Sequence, residues 1–210
     1  MTQKEHGYGL ALHTNTHQLG ICVDDFQCDR RSKVWDLGRD LSSLLHQHLQ
    51  AMLAPQTWQD LAFIAVAKGP GGFTGTRIGV VTARTIAQQL DIPLYGISTL
   101  AAIAHSQIDN PPTNSLIAVQ MNARREQLFV AIYQITEDQI WQPYLCDMVM
   151  TDSEWQNTLE NLGLPYQLVK SPSEIAHTVT NVMELAHSQW QQGKNSHWQD
   201  IVPFYGQHPV

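Results

Sequence analysis

The chain has 210 residues, 43% of them hydrophobic, enough to bury one large core or two smaller ones. Its formal charge of -7 argues against a surface that grips nucleic-acid phosphates by itself, and three cysteines without a C-x-x-C pair exclude a disulfide framework or a cysteine zinc site. No apolar run approaches the roughly 20 residues of a membrane span, and the start MTQKEHGYG has no apolar signal core, so a cytoplasmic protein is expected.

Tyr8 to Leu12 and Gln18 to Val23 read as strands around the polar turn His13-Thr14-Asn15-Thr16-His17, and Ser32 to Leu37 as a third. Arg39 to Leu53 carries Leu41, Leu44, Leu45, Leu49, Met52 and Leu53 at helical spacing, with Pro55 to stop it. His46 and His48 on this helix are two residues apart and so on different faces, whereas a helical metal pair needs a spacing of three or four. The histidines therefore read as surface or packing residues, and the cluster Arg30, Arg31 and Lys33 as solvated charge.

Leu61 to Ala67 suits a buried strand, and it feeds the stretch Lys68-Gly69-Pro70-Gly71-Gly72-Phe73-Thr74-Gly75-Thr76-Arg77. Its glycines and proline demand a sharp turn with something close to the bare backbone. With Thr74 as N-cap of a helix from Thr76 to Leu90, free N–H groups would face an anion. Thr14, Asn15, Gly71 and Gly72 are then the candidate ligand contacts. The spacing fits neither a P-loop nor a dinucleotide loop, and the same glycines suit tight packing of the helix on a sheet.

In that helix Gly75, Gly79, Ala83 and Ala87 recur every fourth residue, a small-residue face that lets another backbone approach. Together with Leu45 and Leu49 of the preceding helix it forms a candidate partner surface; packing on the chain's own sheet is the alternative. Ile78, Val81, Thr85, Ile86 and Leu90 make a second face, apolar enough to lie on a sheet.

Leu94 to Ile97 reads as a strand, and Ser98 as the cap of a helix through Ser106. Turn-rich Gln107 to Ser115 marks a boundary between lobes 1–108 and 109–210, with residues from about 191 able to return to the first lobe. Leu116 to Met121 and Gln127 to Ile135 read as strands around the turn Asn122 to Glu126, and Trp141 to Met150 as another. Ser153 caps a helix ending at Gly163, and Pro172 or Ser173 starts the last long helix, striped by Ile175, Val179, Val182, Met183 and Ala186.

From Lys68 to Leu100 the run KGPGGFTGTRIGVVTARTIAQQLDIPLYGISTL resembles, without gaps, the G-P-G-S-F-T-G-x-R-I-G and I-P-x-x-G-[IV]-S-[ST]-L segments of the TsaB (YeaZ) family of bacterial tRNA threonylcarbamoyladenosine biosynthesis proteins. Gly72 stands where that family usually has serine. The resemblance implies an α/β fold of two ribonuclease-H-like lobes of the ASKHA superfamily, each a mixed sheet flanked by helices. It also implies a non-catalytic partner of the TsaD transferase, with TsaE joining and TsaC supplying the threonylcarbamoyl adenylate. The TsaD contact, and the homodimer formed without it, would use first-lobe helices. tRNA would be reached only through the complex, and ATP or ADP would act at the level of the complex, with no intrinsic cofactor.

Leu10 to Thr16 is similar to the family's L-A-[IL]-D-T-S-T, with His13 in the place of the aspartate, and Asn122 replaces the acidic residue of I-D-A-R at the second turn. Neither an imidazole nor an amide replaces the carboxylates that magnesium prefers. The H-x-x-x-H metal pair of TsaD is also missing. No catalytic residue and no metal are expected; the alternative is an independent ASKHA nucleotide hydrolase, carbamoyltransferase or peptidase. Ile201 to Tyr205 resembles the family's terminal P-x-Y-L-R, with Gly206 and Gln207 in the last two places.

Overall fold

The structure, a computed structural model, describes residues 7–107, 116–136, 140–194 and 196–206. Five strands, β1 (Tyr8–His13), β2 (Gln18–Asp24), β3 (Arg30–Asp36), β4 (Leu61–Ala67) and β5 (Leu94–Ile97), form a sheet in the order β3-β2-β1-β4-β5. The first three pair antiparallel, while β4 and β5 run parallel to β1. Every residue of β4 is buried, which is why its sequence is an unbroken apolar run: a strand covered on both faces has no wet side to alternate with.

A second sheet holds β6 (Leu116–Asn122), β7 (Gln127–Ile135), β8 (Trp141–Thr151) and β9 (Tyr166–Lys170) in the order β8-β7-β6-β9, only β9 being parallel to its neighbour. Helices α1 (Leu41–Leu53) and α2 (Phe73–Leu90) cover the outer face of the first sheet, burying Leu45, Leu49, Ala83 and Ala87 against Leu10, Leu12, Ile64 and Val66. The outer face of the second sheet takes Trp155 and Leu159 of α4 (Asp152–Glu160). Between the sheets lie α3 (Thr99–Gln107) and α5 (Val179–Gln191), in one apolar cluster that runs from Phe63 and Tyr95 through Leu100, Ile103 and Met183 to Val119 and Phe129. The two lobes thus share a core.

The small-residue face of α2 points inward. A Cβ on Gly75 would lie 2.0 Å from the carbonyl oxygen of Thr14, and one on Gly79 2.1 Å from Thr14 Oγ1. Ala83 and Ala87 are wholly buried, as are Leu45 and Leu49 to within 1%. The expectation that these six residues form a partner surface is corrected on this point: the β1–β2 turn and the sheet already occupy that face. The opposite assignment is corrected too, since Val81 is 52% exposed and Thr85 is exposed, while Ile78, Ile86 and Leu90 are half-buried at the flanks. A helix pressed this close to a turn needs its smallest residues on the near side, so apolarity alone misassigns the faces.

Three helix starts differ from the sequence reading. Gly72, not Thr74, is the N-cap of α2, its carbonyl accepting from Thr76 N and Thr76 Oγ1, both at 2.9 Å. Thr151, not Ser153, caps α4 through a capping box with Glu154, whose carboxylate accepts from Thr151 N at 2.8 Å. The last helix begins at Val179, because Ala176–Thr178 forms a 3-10 turn. The proposed lobe boundary falls largely on residues 108–115, outside the described residues. Past α5 the chain meets the first lobe at Ser196 and Trp198: Leu94 N donates to Ser196 O at 3.3 Å, and Arg84 sits 5.9 Å from the Trp198 ring centre.

Gly79→Leu should therefore lower the stability of the isolated protein by about 1–3 kcal/mol or more, read as an earlier urea midpoint, because the new side chain collides with Thr14. Val81→Thr, on the exposed side of the same helix, should stay within about 0.5 kcal/mol of the parent.

Candidate functional site

A cavity of about 930 Å³ opens between the lobes where four backbone turns converge. Its walls are the β1–β2 turn (Asn15, Thr16), the glycine loop and start of α2 (Gly71 to Thr74), the β6–β7 turn (Asn122 to Arg125) and the segment after β9 (Ser171 to Ser173), with Tyr205 near the C-terminus. Each turn is at the end of a strand entering the shared core, so the fold itself sets their spacing. Among the described residues two arginines and no carboxylate line this cavity, although the chain as a whole is acidic.

Of the four candidate ligand contacts, Asn15, Gly71 and Gly72 reach the cleft and Thr14 does not. Thr14 is fully buried, with its hydroxyl donating to Gly75 O at 2.8 Å. Gly72 N donates to the backbone oxygen of Asn15 at 2.7 Å, and a Cβ on Gly71 would lie 2.5 Å from that of Asn15. The Asn15 side chain is satisfied when its amide nitrogen donates to Ala67 O at 3.1 Å and its oxygen accepts from Gly69 N at 3.1 Å and from Thr99 Oγ1. Bare backbone at these glycines is required because the first turn packs into them. A magnesium-bound phosphate does not fit the described residues: the Gly72 N–H is bonded to the chain itself, and among the described residues no carboxylate lines the cleft to hold a hard cation.

Of the histidines, read as surface or packing residues, His13 is on the packing side. It is completely buried at the end of β1, and neither ring nitrogen has a hydrogen-bond partner among the described residues. Burial, with a smaller contribution from the charge of His177, lowers its pKa to about 3, so the ring is neutral at any physiological pH. It does not line the cleft, whereas Asn122 is exposed there. The two corresponding turns thus differ: one substitution is sealed in the core and the other faces solvent.

Two members of the basic cluster, Arg30 and Arg31, are paired rather than simply solvated. Arg30 bridges Asp24 Oδ2 at 2.5 Å and Glu184 Oε1 at 2.7 Å, which ties the β2–β3 turn to α5, and Arg31 meets Asp29 at 3.0 Å. His48 lies tilted against Trp35, with ring centres 4.4 Å apart, and His187 stacks on Phe26 at 3.6 Å. Among the described residues no group of three or more His, Cys, Asp and Glu could hold a metal ion.

Two ribonuclease-H-like lobes with a cleft between their opening turns define a protein of the ASKHA type. Residues 39–194 match the TsaD family, described as tRNA N6-adenosine threonylcarbamoyltransferase. The chain is similar to the tRNA threonylcarbamoyladenosine biosynthesis protein TsaB of Bacillus subtilis (strain 168), 37% identical over 158 residues that cover 74% of this chain and 67% of that protein. It is also similar to the TsaB of Buchnera aphidicola subsp. Acyrthosiphon pisum (strain APS), 29% identical over 56% of this chain and 53% of that one, so the match spans about half of this relative's length. Among solved structures, YeaZ from Pseudomonas aeruginosa superposes with a TM-score of 0.75 over 95% of this chain and 99% of that one, at 19% identity, a likeness of fold. The chain belongs to the TsaB (YeaZ) family.

The His13 environment sets a pH dependence. Because its folded pKa lies below the unfolded value near 6.5, protonation favours the unfolded chain, and stability falls as pH drops through 6.5 and on toward about 3. Between pH 7 and pH 5 the loss from this residue should be about 2 kcal/mol. Chemical denaturation of His13→Leu across that range should show a flatter acid limb than the parent; parallel limbs would contradict the assignment.

Proposed function

We propose that this chain is a non-catalytic partner of the TsaD transferase in forming N6-threonylcarbamoyladenosine in tRNA. The observation that carries this reading is the chemistry of the two cleft turns. His13 is neutral and sealed away from the cleft, Asn122 is an amide, and the glycine loop is filled by the chain's own first turn. These residues supply neither a carboxylate to hold a metal at the cleft nor a general base, and the name carried by the curated relatives supplies the pathway. A protein of this kind acts by binding the active conformation of the transferase more tightly than the inactive one. TsaE and TsaC complete the set, ATP or ADP is handled by the assembly, and tRNA meets this chain only within it, in the cytoplasm.

The docking face we assign is the outward side of α2, since the small-residue side is used internally. Val81 is 52% exposed there, with Ile78 half-buried beside it. Exposed apolar residues on one helix face are the usual anchor of a helix–helix contact, and in the absence of TsaD the same face would receive a second copy of the chain.

The test is reconstitution with purified TsaD, TsaE and TsaC. The modified nucleoside should form only when this chain and TsaD are both present, and Val81→Glu should weaken TsaD binding about tenfold, ~1.4 kcal/mol, at unchanged melting temperature. Modification by this chain without TsaD, at a rate near that of the full set, would overturn the reading.

A further inference from the structure

We propose that the segment 201–206 is a strap that fixes the separation of the two lobes across the cleft. Four contacts made by consecutive parts of this segment carry the inference. Ile201 packs on Gly96 at the end of the first sheet, where an added Cβ would lie 2.8 Å from Ile201 Cγ2. Phe204 N donates to Lys68 O at 2.7 Å, and the Phe204 carbonyl lies so close to Gly69 that a Cβ there would be 2.1 Å away. Tyr205 then reaches the cleft and meets the Phe73 ring, their centres 4.4 Å apart. Gly206 crosses to the second lobe, with a Cβ in its place 2.8 Å from both Phe129 and Val149.

A glycine stands at three of these four crossings, and at two of them, Gly69 (φ +109°) and Gly206 (φ +63°), the backbone is also in a conformation that other residues resist. The close approach is therefore specific to the strap's path, on both lobes. An extended segment that touches the first lobe at Gly69 and Gly96 and the second at Phe129 and Val149 restrains the distance between those points, because its length is fixed by covalent geometry. The lobes are joined elsewhere by the core and by Tyr133, whose hydroxyl lies 3.1 Å from Ser98 Oγ and 3.0 Å from Asp147 Oδ1. Loosening the strap should thus free the cleft without unfolding the protein.

The experiment places spin labels on exposed helix positions of the two lobes, Gln88→Cys on α2 and Gln156→Cys on α4, in a full-length chain with Cys28→Ser and Cys146→Ser, and reads the interlabel distance distribution. Two strap variants are compared with this parent: Gly206→Leu, which collides with Phe129 and Val149, and Tyr205→Ala, which removes the contact with Phe73. The expected result is a distribution that broadens and shifts to longer separations in Gly206→Leu, with a smaller change in the same direction for Tyr205→Ala, at retained circular dichroism. Distributions that superpose on the parent in both variants would overturn the proposal. Should Gly206→Leu fail to fold, Tyr205→Ala alone decides between these outcomes.

Discussion

The first turn of the chain seats itself in the small-residue face of α2, and the rest of the first lobe is arranged to allow it. Thr14 enters between Gly75 and Gly79, its hydroxyl held by Gly75 O, while the backbone of Asn15 takes the Gly72 amide. These contacts bury polar backbone that would cost free energy without partners, and each group involved finds one. They bring a helix, a glycine loop and a hairpin turn within contact distance at the mouth of the cleft. In this protein the chain is its own ligand at that point.

The same economy extends to the junction between lobes. The Asn15 side chain braces the glycine loop through Gly69 and reaches Thr99 at the start of α3, the helix that passes into the shared core. Close by, Ser98 caps α3 and also meets Tyr133 of the second sheet. Burial pushes the Tyr133 hydroxyl well above its ordinary pKa and, against the pull of its hydrogen bonds and of Lys68, raises that of Asp147, so this polar joint is held in a dry environment where a lost partner would be costly. A partner that binds the outer side of α2 therefore touches a helix that the glycine loop and α3 link to the second lobe.

Much of this was legible in the sequence, for identifiable reasons. Leu61–Ala67 and Leu94–Ile97 match the strands read from their apolar runs, since strands buried on both faces leave an unbroken signal. The glycine loop was recognisable as a place of close backbone approach, but not what approaches: the approaching group lies some sixty positions earlier in the chain, and no local pattern names it. Of the two readings open for the small-residue face of α2, a partner surface or packing within the chain, the structure takes the second, because small residues here mark a contact already made. His13 is legible as the residue in the place of the family's aspartate but not as a sealed one, although its neighbours Leu10, Ala11 and Leu12 lie wholly in the core. The strand Tyr166–Lys170 went unread because a five-residue edge strand with one buried residue carries almost no periodicity.

Hydrogen exchange at the Gly72 amide, followed by NMR on the isolated protein, tests the central claim most directly, because that N–H either is bonded to Asn15 or is free to receive an anion. The account predicts exchange as slow as that of the buried β1 amides, unchanged when magnesium and ATP are added. Rapid exchange in the free protein, slowed on adding the nucleotide, would contradict it.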